Sequence, residues 1–338
     1  MDQRAVTATG LSRSLMMEAS GGEELCFPQL LNTSCRKPTI SWVIAVFLQF
    51  LLFFNSVSTV TLNLFVIISV SHFRQLHKTT NFLLLSLAIS DLMVGLVFFP
   101  GESVRLTTCW LFGDIMCLMY IYIISLIVSA SVGNIVLISV DRYVAICDPL
   151  HYHSRITVTR TQLCICLCWL YSAFYSITFV GDGISEKKIL CHGQCVLFNY
   201  YAFVIDLVLS FTVPVTVIIV LYSKVFVMAV FQARAIRSRV TAISLQRTVT
   251  GRKSELKAAR TLGILVLVFL MCFCPFYFAA LGGDISFNTS ATVLCLFSIN
   301  SCLNPLIYAI FYPWFRKAIK HIVTLNILQS GSSKANIL

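Results

Sequence analysis

Two carboxylates stand inside apolar stretches of this chain, Asp91 in LSLAISDLMVGLVFF and Asp206 in YYAFVIDLVLS. An acid at bilayer depth is expensive to hold, and such residues by default mark an ion, proton or ligand site. Asp206 precedes Pro214 by eight residues, about 12 Å along a helix. No Lys or Arg falls within an apolar segment at that depth. A ligand cation, a proton or a neighbouring hydroxyl must therefore satisfy it. A third chemical group is Asp141-Arg142-Tyr143, which closes an uncharged run that begins after Cys117. Cys117 and Arg142 lie about 37 Å apart on a continuous helix, enough to put them on opposite sides of a membrane.

These groups need a scaffold, and composition says which kind. The 338 residues are 58% hydrophobic and 12% charged, with a mean hydropathy of +0.86. Soluble domains carry about 25% charged residues, so lipid is the expected solvent. Residues 1–38 are mostly polar, without a short apolar run ending in a cleavage site. The first apolar segment is expected to direct membrane insertion. The net charge of +11 is read as loop charge, and no nucleic-acid partner is expected.

Seven apolar segments follow, at about 41–71, 81–101, 113–140, 162–181, 199–226, 260–281 and 291–312. Each matches the length of a spanning helix. They are too long, and alternate too little, for β-strands of a membrane barrel. With the N-terminus outside, more than two-thirds of the 25 lysines and arginines fall on the inner side, as membrane topology favours. The sequons at Asn32 and Asn288 then lie outside, where glycosylation occurs. So do Cys26, Cys35, Cys109, Cys117, Cys191 and Cys195, where disulfides persist. The expected architecture is all-α: an outer arm (1–40), a seven-helix bundle (41–312), and an inner tail (313–338). Phe315, Ile319 and Ile322 recur at helical spacing opposite Arg316, Lys317 and Lys320, which predicts an amphipathic helix on the inner leaflet. The long basic loop between segments five and six suits anionic lipid or a docking partner.

The ordered motifs resemble those of rhodopsin-type G-protein-coupled receptors. They are Asn63, Leu87-Ala88-Ile89-Ser90-Asp91, Asp141-Arg142-Tyr143, Trp169, Pro214 with Tyr222, Pro275, and Asn304-Pro305-Leu306-Ile307-Tyr308. The longer run Asn300 to Phe315, NSCLNPLIYAIFYPWF, is similar to the fingerprint of trace amine-associated receptors, as are Phe73-Arg74-Gln75-Leu76-His77 and KAARTLG at 257–263. The resemblance implies a plasma-membrane receptor for small, often volatile amines. It also implies coupling to a stimulatory heterotrimeric G protein, with cAMP as the second messenger.

The same resemblance implies roles for individual residues. Asp91, Ser131, Asn300, Ser301 and Asn304 would hold a sodium ion, the alternative being a hydrogen-bonded cluster with protonated Asp91. An Arg142–Glu255 pair would hold the resting state, and its opening would admit the G protein; Tyr143, Tyr222, Asn304, Pro305 and Tyr308 belong to that switch. Cys117 would pair with Cys195. An N-terminal cysteine would pair with Cys191, Cys26 being preferred over Cys35. Zinc on Cys191, His192 and Cys195 is the rival reading of the loop. Cys164, Cys166 and Cys168 cannot share one metal from a single helix, because Cys166 points away from the other two.

The ligand site departs from the wider amine-receptor pattern. Those receptors hold ammonium with an acid on segment three, where this chain has Ile124. Some trace amine-associated receptors, chiefly in fishes, bind amines through an acid on segment five, so the resemblance supports Asp206 in that role. Ser125, Phe273, Phe276 and Tyr277 complete the expected pocket, the rings favouring a cation over their faces. Phe273 replaces the usual switch tryptophan. A diamine would need a second acid, for which Glu102 and Asp284 are placed. Two alternatives remain: a receptor of the same fold for a non-amine odorant, and an ion or proton transporter. No inverted repeat is visible to support transport. No catalytic motif is present to suggest an enzyme.

Overall fold

The computed structural model describes residues 24–30, 33–38, 40–185, 191–196, 200–239, 263–279, 281, 287–329 and 331–337. Helix α1 spans Trp42–His72, capped by the Ser41 hydroxyl accepting from the Ile44 amide. Helix α2 runs over Thr79–Thr107, α3 over Gly113–Cys147 and α4 over Val158–Ser185. Helix α5 is built from Tyr200–Asp206, a π turn at Leu207–Thr212, and Val213–Arg239. Helix α6 covers Gly263–Ala279, α7 Phe287–Phe311 and α8 Pro313–Val323. Five of these are long and apolar enough by themselves to cross a membrane, and α6 and Ile299–Phe311 of α7 are shorter apolar helices.

The spanning helices, unlike α8, are apolar on nearly every face, as membrane spans must be. Phe47, Phe50 and Phe54 on α1, and Leu163, Leu170 and Phe174 on α4, are exposed large side chains of the kind that meets lipid. The main core gathers toward the Arg142 end, around Leu84, Leu87, Ile135, Ile138, Phe269 and Tyr308.

Proline positions explain the irregular turns. A helical proline lacks an N–H, and its ring crowds the carbonyl four residues back. Both π turns, Val94–Phe98 and Leu207–Thr212, lie just ahead of a proline, Pro100 and Pro214. The extra residue in a π turn relieves that crowding. Thr212 Oγ1 donates to the Leu207 carbonyl at 2.9 Å, filling an acceptor inside the turn. Because Pro100 is absorbed this way, α2 does not stop near residue 101 as expected. It continues to Thr107 and carries Arg105 with it. In α7 the carbonyl released by Pro305 is that of Ser301. Asn63 of α1 reaches across to donate to it at 3.0 Å.

Helix α8 has the expected two faces: Trp314, Phe315 and Ala318 are buried, while Arg316, Lys317 and Lys320 are exposed. The tail then folds back against the α1–α2 turn. His72 Nε2 meets Ser332 Oγ at 2.9 Å, the Ile337 amide donates to Gln75 Oε1 at 3.2 Å, and Ile337 is fully buried.

Candidate functional site

At the disulfide-bearing end of the bundle lies a cavity of about 270 Å³. Ile124 and Ser125 of α3 form one wall, Asp206 of α5 another, and Phe276 and Tyr277 of α6 a third. Five of the six expected pocket residues are thus brought together. Phe273 is not among the lining residues. It is 3% exposed and packs against Phe269 with ring centroids 4.2 Å apart, so it belongs to the core. One helical turn separates it from Tyr277, enough to put it beneath the cavity instead of on its wall.

Asp206 is held by two phenols. Tyr175 of α4 donates to Oδ1 at 2.8 Å and Tyr277 donates to Oδ2 at 3.2 Å. Sequence reasoning anticipated a hydroxyl partner in general but did not single out Tyr175. Both partners are neutral donors, so they orient the carboxylate without cancelling its charge. Tyr277 is in turn stacked on Phe211 at 4.3 Å between centroids. The acid is therefore fixed from three helices, α4, α5 and α6.

Opposite, Glu102 and Arg105 also line the cavity. Their spacing puts them on one face of α2. Arg105 Nε donates to both Glu102 oxygens at 2.9 and 3.0 Å, and Nη2 donates to Oε2 at 2.6 Å. Tyr120 of α3 donates to Glu102 Oε1 at 2.9 Å. Gly101 makes room for this: a Cβ there would stand 2.1 Å from the Tyr120 ring. The i,i+3 spacing of Glu102 and Arg105 was the available sequence signal, obscured because the second apolar run ends near residue 101.

Three disulfides close this end. Cys117–Cys195 forms as expected. Cys191 pairs with Cys35, not with Cys26, and Cys26 pairs with Cys109. The backbone explains the correction. The Cys35 amide donates to the His192 carbonyl at 2.8 Å and the His192 amide to the Thr33 carbonyl at 2.7 Å. That pairing sets Cys35 beside Cys191. Cys26 lies across from Cys35, joined through its own amide, and is left for the α2–α3 loop. Cys191 and Cys195 are both consumed by disulfides, which overturns the zinc reading of this loop. Of the three cysteines on α4, Cys164 and Cys166 are exposed. Cys168 packs against Gly133, where a Cβ would come within 2.4 Å of its sulfur.

Midway along the bundle, Asp91 is wholly buried. Asn304 Nδ2 donates to its Oδ2 at 2.7 Å. Asp91 Oδ1, Asn300 Oδ1 and Asn304 Oδ1 are buried acceptors with no hydrogen-bond partner among the described residues. Ser131 donates to Ser90 at 2.9 Å, and Ser301 is buried alongside, on α7. This all-oxygen set suits a hard cation.

At the far end, Arg142 donates through Nε to Asp141 Oδ2 at 3.0 Å, and through Nη2 to both Asp141 and Thr80. Tyr152 donates to the other Asp141 oxygen at 2.8 Å. Asp141 thus holds Arg142 locally. Glu255 and Asn32 lie outside the described residues, as does Asp284. Asn288 stands in the first turn of α7. The hydroxyls of Tyr222, Tyr308 and Tyr312 are buried without partners among the described residues, and the Tyr143 ring sits 5.8 Å from Lys224 Nζ.

A seven-helix bundle with a cavity at one end and a buried arginine at the other defines the class. The family description "7 transmembrane receptor (rhodopsin family)" matches residues 62–308. Trace amine-associated receptor 13c of Danio rerio is 37% identical over 332 residues, covering 93% of this chain and 96% of its own length. Trace amine-associated receptor 7e of Mus musculus is 39% identical, covering 97% and 95%. Receptor 8a of Rattus norvegicus is 38% identical, covering 93% and 96%. The chain belongs to the trace amine-associated receptors of the rhodopsin family. It is a multi-pass membrane receptor, not an enzyme.

Proposed function

We propose that this receptor binds a small amine in the cavity at the disulfide-bearing end, with Asp206 holding the ammonium. The observation that carries the reading is a cavity-lining carboxylate whose two partners, Tyr175 and Tyr277, are neutral. A cation supplies the missing charge, and the Phe276 and Tyr277 rings favour it further. Trace amine receptors among the relatives support the ligand class. The disulfide-bearing end faces outward in this reading, because disulfides persist in an oxidising compartment. The basic end faces the cytoplasm.

Ligand binding outside then biases a two-state bundle. Arg142 leaves Asp141 for the buried tyrosine hydroxyls as α6 opens. A heterotrimeric G protein of the stimulatory class docks there and raises cAMP. A sodium ion, held by Asp91 with Asn300 and Asn304, would supply positive charge to a buried carboxylate and favour the resting state. Ser131 and Ser301 stand beside that set.

The test is Asp206→Ala in a cell-based cAMP assay with equal surface expression. Amine responses are expected to disappear, a loss of at least about a hundredfold in potency for a buried charge pair. Unchanged amine responses would show that Asp206 is merely a hydrogen-bonded structural acid. Silence toward amines in the unmodified receptor, with responses to neutral odorants, would favour a non-amine ligand.

A further inference from the structure

The cavity contains a second acid, yet that acid is already spoken for. Glu102 is 4% exposed and accepts three hydrogen bonds from Arg105 and one from Tyr120. Arg105 lines the same cavity. Among the described lining residues the charged groups are therefore two acids and one base, and the base is bound to one of the acids. One uncompensated negative charge remains, at Asp206.

We propose that Arg105 is a specificity-determining residue that occupies Glu102 as a tethered surrogate for a second ammonium, restricting the cavity to monoamines. The inference rests on the reading that Asp206 holds the ligand's ammonium. A diamine entering this cavity places one ammonium at Asp206. Its other ammonium meets a carboxylate whose lone pairs are filled and a guanidinium of like charge. Displacing Arg105 would strand a cation in a largely desolvated wall, which costs more than the new contact returns. A monoamine with an apolar tail meets no such conflict, because Ile121, Ile124 and Val128 line the α3 side. The surrounding fit is built for the pair: Gly101 lets the Tyr120 ring lie close enough to hold Glu102 from above.

The experiment compares n-alkylamines with terminal diaminoalkanes of matched chain length on the full receptor, at measured surface levels. The unmodified receptor is expected to prefer the monoamines. Arg105→Met should shift the diamine-to-monoamine potency ratio toward diamines by about tenfold or more, the worth of one charge-assisted hydrogen bond. Arg105→Gln, which keeps a polar side chain but no charge, should shift it the same way and covers the case in which the methionine variant fails to reach the surface. Adding Glu102→Gln to either should cancel the shift. Glu102→Gln alone leaves Arg105 unmatched in the cavity and should weaken monoamines. An unchanged ratio in the surface-expressed Arg105 variants overturns the proposal, as does an unmodified receptor that prefers diamines. Asp206→Asn, measured alongside, separates the two levels. Retained monoamine responses there defeat the Asp206 reading, whereas their loss with an unchanged ratio defeats only the role of Arg105.

Discussion

Asp206 shows how much a single side chain depends on its holders. Tyr175 and Tyr277 aim the carboxylate into the cavity, so removing one donor should loosen it without removing the charge. Tyr175→Phe is expected to lower amine potency about fivefold, the net worth of one hydrogen bond, in a concentration–response measurement. A loss as complete as that of Asp206→Ala would mean that Tyr175 touches the ligand directly. Asn63 provides a contrasting case, far from ligand. Asn63→Leu strands the Ser301 carbonyl that Pro305 has released. It should destabilise the receptor by about 1–3 kcal/mol, read as a lower melting temperature in detergent with amine potency little altered. Asp206 was legible in the sequence because a charge in an apolar run stands out. Tyr175 was not, since a tyrosine among the aromatic residues of α4 carries no local mark. Its role arises from α4 packing beside α5.

At the level of elements, the seven spans were readable from run length alone, yet their ends and turns were not. The π turn at Leu207–Thr212 inserts a residue between Asp206 and Pro214, so counting back in regular turns misjudges where the acid points. The second apolar run ends near residue 101, but the π turn before Pro100 lets α2 continue to Thr107, so Arg105 lies on the helix beyond that run. Disulfide partners depended on backbone pairing between the arm and the second outer loop, which no cysteine spacing reveals. Peptide mapping without reduction should recover Cys35 with Cys191 and Cys26 with Cys109. In Cys26→Ser the Cys35–Cys191 bond should persist, and recovery of Cys26 with Cys191 in the unmodified receptor would reverse the assignment. The loop after α3 behaves as a smaller unit. The Asp148 carboxyl sits below its ordinary range, chiefly because the His151 ring hydrogen-bonds it at 2.7 Å, with the charge of Arg155 adding a smaller pull. A depressed acid stabilises the folded form above its unfolded pKa and loses that effect as pH falls through the folded value. Amide protection over 148–156, taken relative to the intrinsic exchange rate at each pH, should therefore be steady from neutral to mildly acid pH and fall only below the ordinary carboxylate range.

For the whole molecule, the membrane-spanning architecture and the residues of both ends were visible in one dimension, whereas the cavity's charge balance required three. Activation is expected to separate the Arg142 ends of α3 and α6. Spin labels placed there should report a longer distance on adding amine, while labels at the disulfide-bearing ends of α3 and α4 should stay fixed. Equal movement at both ends would contradict this picture. The reason lies in the cross-links. Cys26–Cys109, Cys35–Cys191 and Cys117–Cys195 join the arm before α1, the α2–α3 loop, the head of α3 and the α4–α5 loop into one covalent ring. None of the three includes a residue of α6 or α7. Mechanically, five helices are clamped at one rim like rods set in a collar, and α6 and α7 are the rods left to pivot. If an ammonium is captured at Asp206 as proposed, the collar would supply a fulcrum, and a sub-ångström adjustment there would be magnified with distance from the rim.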